Sequence, residues 1–150
     1  MELKIPPPLL ALLCALAMWG ISNTGILASV ESGLTGPLSL TVFVLGILTN
    51  LLAVVSFRRA STTVNPMKPE SATQLVSSGI YKLSRNPMYL GVLLMLSAWA
   101  LWLGNALNLA VLFLFVWYLT RFQIIPEERA LAEVFPETFP TYQSRVRRWI

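Results

Sequence analysis

Charged residues divide this chain into long apolar runs: none falls between Ile5 and Val30, between Ser32 and Phe57, or between Asn86 and Thr120. About 20 apolar residues cross a bilayer core as a helix, so the first two runs predict one span each, about 8–28 and 37–57. The third run is too long for one. As a single helix it would reach roughly 52 Å, well beyond the roughly 30 Å of the core. Gly104-Asn105 lies near its middle, and both residues suit the positive φ of a tight turn. The run therefore predicts an antiparallel hairpin, spans 87–103 and 106–125. The expected fold is an all-α integral membrane protein of four transmembrane helices, forming a single domain over residues 1–150.

The basic residues give the orientation. All 11 Lys and Arg lie at Lys4, between Arg58 and Arg85, or from Arg121 onward, and none lies at 29–36 or 104–106. Four spans put both termini on one side, and the positive bias assigns that side to the cytoplasm. A bacterial inner membrane is the expected location. The net charge of +4 therefore belongs to one face, which suits anionic lipid head groups and gives no reason to expect nucleic acid.

Two cytoplasmic segments follow from this layout, a loop 58–86 and a tail 126–150. Prolines and polar residues from Thr62 to Glu70 predict an ordered loop or extended segment. In the tail, Pro126 opens a helix with Glu127 and Glu128 in its first turn, and a break is expected near Pro136 to Pro140. Beyond it, Phe139, Tyr142, Val146 and Trp149 share a helical face opposed by Arg145, Arg147 and Arg148. That pattern predicts an interfacial amphipathic helix.

Composition changes the picture mainly by exclusion. The chain has 55% hydrophobic and 12% charged residues, no His and a single Cys, Cys14. Histidine-dependent triads and the usual zinc or iron ligand sets are thus out of reach, and no metal site is expected. Lys4 before an apolar run with Ala15-Leu16-Ala17 has the outline of a secretory signal, but Pro6 to Pro8 and Trp19 favour a retained span. An enzyme built from these residues would need chemistry with neither metal nor imidazole. Alkyl transfer from a sulfonium meets that condition, since alignment and exclusion of water are the main tasks.

The densest polar and aromatic cluster at a span boundary is Gly79-Ile80-Tyr81, then Arg85-Asn86-Pro87-Met88-Tyr89-Leu90-Gly91. With Arg121, Glu127-Glu128, Tyr142 and Arg145-Val146-Arg147-Arg148-Trp149 in that order, the chain resembles the isoprenylcysteine carboxyl methyltransferase family and its phospholipid methyltransferase relatives over about 62–149. The resemblance implies an integral membrane methyltransferase that binds S-adenosyl-L-methionine in a cytoplasm-facing pocket. Its cofactor contacts would fall on Thr73, Gln74, Leu75, Val76, Tyr81, Asn86, Pro87, Met88, Tyr89 and Glu127. Arg121 and Glu128 are assigned to the reaction itself. Arg121 would orient the acceptor, and Glu128 or its neighbour would serve as base if the acceptor were an amine.

Many members of that family carry His where this chain has Asn86, and Asn hydrogen-bonds but does not titrate. A carboxylate acceptor, or an easily ionised thiol, needs no strong base, so a lipophilic or lipidated carboxylate ranks first and a phospholipid amine second. The chain is short beside eukaryotic members, leaving fewer walls for a bulky acceptor, and a homodimer would supply more. Two other readings remain: an NADPH-dependent reductase, since sterol reductases resemble this family in their C-terminal half, and a non-catalytic four-span scaffold.

Overall fold

The computed structural model describes residues 5–26, 35–60 and 74–150. Among these residues every regular element is helical. Helix α1 (Pro7–Asn23) starts behind Pro6, with prolines in its first turn, where a missing N–H costs nothing. It ends at Thr24, whose hydroxyl and amide both bond the Ile21 carbonyl, ahead of Gly25 at φ 70°. Helix α2 (Thr35–Arg59) closes on Arg58 and Arg59, cations placed at the negative end of the helix dipole. A short 3₁₀ turn, Gly79–Lys82, leads into α3 (Pro87–Leu103), with Pro87 at its first position.

Gly104, at φ 65°, caps α3 in the left-handed region, and its amide bonds the carbonyls of Ala100 and Leu101. The Asn105 side chain then accepts the Leu107 amide at 2.9 Å, turning the chain into α4 (Asn108–Leu119). The hairpin therefore turns at the Gly-Asn pair picked out by the sequence. Beyond α4 the helix does not stop at Pro126. It widens into a π turn, Thr120–Ile124, and runs on as α5 (Ile125–Val134). Proline lacks the amide for the ordinary helical bond and crowds the carbonyl four residues back; a wider turn accommodates both.

Two of these rods, Thr35–Arg59 and the continuous Asn108–Val134, are long and apolar enough to cross a membrane. The apolar part of the second ends at Ile125, after which Pro126, Glu127, Glu128 and Arg129 follow. Helices α1 and α3 are shorter and also apolar. Large apolar side chains lie on the outside: Leu40 is 64% exposed, Phe113 71% and Trp117 52%. That is the reverse of a water-soluble domain, and it matches a surface solvated by acyl chains.

Helix α3 holds the bundle together. On one side it meets α2 at Gly46 and Gly91, so closely that a Cβ on Gly46 would stand 2.8 Å from the Gly91 carbonyl oxygen. Small residues permit such approach where lipid removes any hydrophobic drive between helices. On its other side α3 packs with α1 and α4 around Met18, Leu96, Ala100, Phe115 and Leu119. Trp99 donates to the Ala15 carbonyl at 3.1 Å, and Asn108 donates to Ser22 at 3.2 Å.

The tail departs from expectation. After α5 comes α6 (Thr138–Arg145), and the amphipathic helix predicted to run on through Trp149 ends there, with Val146 extended at φ −123° and ψ 131°. The cause is tertiary. Backbone carbonyls of 143–148 are claimed by side chains of the 84–86 segment, and a helix would keep several of them for itself.

Candidate active site at the hairpin mouth

The site is built where α3 begins and the helix Asn108–Val134 leaves its apolar stretch. Gly79 sits at φ 60°, and a Cβ there would stand 2.7 Å from the Ser56 hydroxyl, so only glycine lets the 3₁₀ turn lie against α2. That turn delivers Tyr81 into an apolar cluster with Ala53 and Val76, flanked by Phe57 and Met88. The Phe57 ring meets Tyr81 edge-on at 5.4 Å. Tyr142 of α6 donates to the Tyr81 carbonyl at 2.7 Å and ties the tail to this turn.

Arg85 and Asn86 then work as a clamp. Arg85 Nη1 donates to the carbonyls of Gln143 at 2.9 Å and Val146 at 2.7 Å, and its Nη2 and Nε both reach Glu128 Oε1. The Arg85 amide donates to the Arg147 carbonyl at 3.0 Å. Asn86 Nδ2 donates to the Arg148 carbonyl at 3.0 Å, and Ser84 contacts the same oxygen at 3.4 Å. Arg148 returns to Glu128 Oε2 at 2.7 Å. The Trp149 indole donates to Thr120 on the π turn at 3.2 Å. Residues 146–149 thus form a strap across the mouth, fixed at both ends.

The two adjacent glutamates have opposite environments. Glu128 is 9% exposed and takes both arginines; burial works to raise its pKa, but the hydrogen bonds and charges of Arg148 and Arg85 outweigh it and hold the carboxyl below its usual range. No cation pairs with Glu127 among the described residues. Its Oε1 accepts from the Tyr89 hydroxyl at 2.5 Å and from the Gln123 amide, while Oε2 takes no hydrogen bond among the described residues. Burial pushes the Glu127 carboxyl up to about 7, helped by the Glu128 charge and opposed by its two donors. Tyr81, whose own pKa is raised by burial and then by Tyr142 and Glu127, lies close enough to feel that carboxylate. Its hydroxyl has no hydrogen-bond partner among the described residues.

The residues singled out in the sequence distribute as follows. Val76, Tyr81 and Met88 meet in one apolar cluster, and Tyr89 joins Glu127 beside it. Pro87 is buried at the head of α3, Leu75 is half-buried and Gln74 exposed, while Thr73 lies outside the described residues. Asn86 spends its amide on the strap, and Glu128 spends both oxygens on arginines. Arg121 is exposed, its guanidinium 5.8 Å from the Phe122 ring centre. The structure adds Gln123, Arg85, Tyr142 and Arg148 to the cluster. The Gln123 and Glu127 pair had a legible signal, the i, i+4 spacing that brings helical side chains together. Arg85 had none beyond its place before Asn86.

This arrangement suits a ligand that offers hydroxyl or ammonium groups to one open carboxylate oxygen and a flat or cationic face to tyrosine rings. A family model described as phospholipid methyltransferase matches residues 34–138. The chain belongs to that family. The match includes α2, the 3₁₀ turn, the hairpin and both glutamates. Protein-S-isoprenylcysteine O-methyltransferase B of Arabidopsis thaliana is 27% identical over 128 residues, 85% of this chain and 58% of its own length. Protein-S-isoprenylcysteine O-methyltransferase of Saccharomyces cerevisiae is 29% identical over 118 residues, 79% of this chain and 49% of its own. The chain thus spans about half the length of these two relatives. An uncharacterized protein of Haemophilus influenzae is 43% identical over 63 residues, 42% of this chain and all of its own length. No solved structure matches significantly.

Proposed function

We propose that this chain is an S-adenosylmethionine-dependent membrane methyltransferase that alkylates a carboxylate, or a thiol, of a lipophilic acceptor at the cytoplasmic face of a four-span bundle. The observation that carries the reading is Glu127: one oxygen tied, the other without a partner among the described residues, beside two tyrosines at the mouth of an apolar hairpin in a methyltransferase family. The donor set fits the cofactor. Oε2 would accept from the ribose hydroxyls or the ammonium group, and Tyr81 and Tyr89 would flank the adenine or the sulfonium.

S-adenosylmethionine would supply a methyl group already activated on a sulfonium sulfur. The protein's work is then to align the partners and keep water out, for which the apolar walls around Val76, Tyr81 and Met88 are suited. Arg121, exposed where the helix leaves its apolar stretch, would orient the acceptor's carboxylate. A carboxylate or thiolate acceptor would arrive already ionised, so no residue of the chain would have to take a proton from it. Glu128, saturated by Arg85 and Arg148, serves to hold the wall.

A second reading, methylation of a phospholipid amine, draws on the Glu127 carboxyl pushed up to about 7, the range of a base that works near neutral pH. The test is titration of the purified chain in detergent with S-adenosylhomocysteine, followed by transfer of labelled methyl to S-prenylcysteine or to phosphatidylethanolamine vesicles. Binding that is lost in Glu127→Ala, with label on prenylcysteine, is expected. Label on the amine alone would favour the second reading, and no binding by folded protein would refute both.

A further inference from the structure

The π turn at Thr120–Ile124 has a consequence for the site beyond passing a proline. One extra residue in a turn rotates all that follows by roughly 100° relative to an unbroken helix, and such turns gather at functional sites. Here the turn leaves Arg121 exposed and Gln123 only 2% exposed, with the Gln123 amide directed at Glu127 Oε1. Tyr89 reaches the same oxygen from α3. Two donors from two elements, converging on one oxygen, fix both the position and the plane of the carboxylate. Its second oxygen has no hydrogen-bond partner among the described residues.

We propose that Gln123 is a positioning residue which, aimed inward by the π turn, keeps Glu127 ionised and turned so that Oε2 meets the hydroxyl or ammonium groups of the methyl donor. The orientation toward the donor rests on the function proposed above. The hold on Glu127 does not. A neutral amide that merely filled space could be replaced by any side chain of its shape, whereas a donor to an ionised oxygen stabilises the charge that burial opposes. Among the described residues the charged and titratable groups facing Glu127 are few. They are Tyr89 from α3, Tyr81 from the 3₁₀ turn, and Glu128 next to it, the last paired with Arg85 and Arg148.

The experiment compares wild type with Gln123→Met, close in shape but unable to donate, in the full chain in detergent. S-adenosylhomocysteine affinity is measured by calorimetry across the neutral pH range. In parallel, the Glu127 carboxyl is titrated by infrared spectroscopy of ligand-free protein labelled in glutamate, its band identified by its loss in Glu127→Gln. Losing a bond to the ionised form should raise both midpoints by about one pH unit; from a midpoint of about 7 that lowers the ionised fraction at pH 7 from about one half to about one eleventh, and so weakens binding about fivefold. Unchanged midpoints and affinity would overturn the proposal and leave Gln123 as filler. If wild type binds no S-adenosylhomocysteine but the infrared midpoint still rises, the donor reading fails and the hold of Gln123 on Glu127 stands. Should Gln123→Met fail to fold, the Gln123 side-chain amide resonance of wild type decides. It must move with pH at the Glu127 midpoint, and a flat response overturns the proposal.

Discussion

Replacing Arg85 with Ala removes the centre of the clamp, and the structure sets the size of the effect. Arg85 is buried, with 9% of its side chain exposed against 11% for Glu128, and it makes two contacts to the carboxylate and two to backbone carbonyls. Removing one partner of a buried ion pair costs about 3 to 5 kcal/mol, and the lower end applies because Arg148 stays on Glu128. The carbonyls of Gln143 and Val146 regain water when the strap lifts, so each of those bonds adds only about 0.5 to 1 kcal/mol. The strap should therefore lose about 4 kcal/mol against opening, on the order of a thousandfold in its open population at 1.4 kcal/mol per tenfold. Native-state proteolysis tracks that population when opening and closing are fast beside cleavage. Trypsin cleavage after Arg145, Arg147 or Arg148 is expected to accelerate by up to that factor, with cleavage after Arg58 or Arg59 at the end of α2 as reference. Arg85→Lys keeps the charge without the fork and should fall between the two. Tail cleavage within threefold of wild type in Arg85→Ala would show that the clamp does not hold the strap, and the energetic reasoning would fail.

Three further outcomes are expected. S-adenosylhomocysteine affinity should fall as pH drops through about 7, by roughly tenfold one unit below the Glu127 midpoint, because protonation removes the acceptor; Glu127→Gln should show no such dependence in calorimetry. A Cβ at Gly91 would collide with the Asn50 amide and come within 2.8 Å of the Gly46 carbonyl oxygen. Gly91→Ala should therefore cost about 1 to 3 kcal/mol in thermal unfolding, whereas Gly20→Ala, which meets open space in α1, should gain about 0.5 to 1 kcal/mol. Tyr142→Phe removes the 2.7 Å bond to the Tyr81 carbonyl and should lower stability by about 1 kcal/mol; a melting curve identical to wild type would deny that bond a role.

Much of this was legible along the chain. Uncharged runs fixed the apolar helices, since a buried charge in hydrocarbon is too costly to hide, and Gly104-Asn105 fixed the hairpin, since few residues accept its backbone. The Glu127-Glu128 pair and the tyrosines of the 79–91 segment were visible as chemistry at a boundary. Their division of labour was not. Which glutamate meets two arginines depends on Arg85 and Arg148, 43 and 20 residues away from Glu128. The tail shows the same limit: its amphipathic pattern predicted a helix through Trp149, and long-range hydrogen bonds drew it out into a strap instead.

Taken alone, then, the sequence determined the properties that depend on near neighbours and solvent: which segments are apolar, where the chain turns, and that no imidazole is available to any reaction. Only the tertiary structure decided the ones that depend on partners far along the chain. It tied Asn86 to the strap, locked Glu128 between two cations, turned Gln123 inward and gave only one oxygen of Glu127 a partner among the described residues. The physical reason is that a carboxylate's charge state and direction are set by the few groups within hydrogen-bond reach, and folding alone chooses those groups.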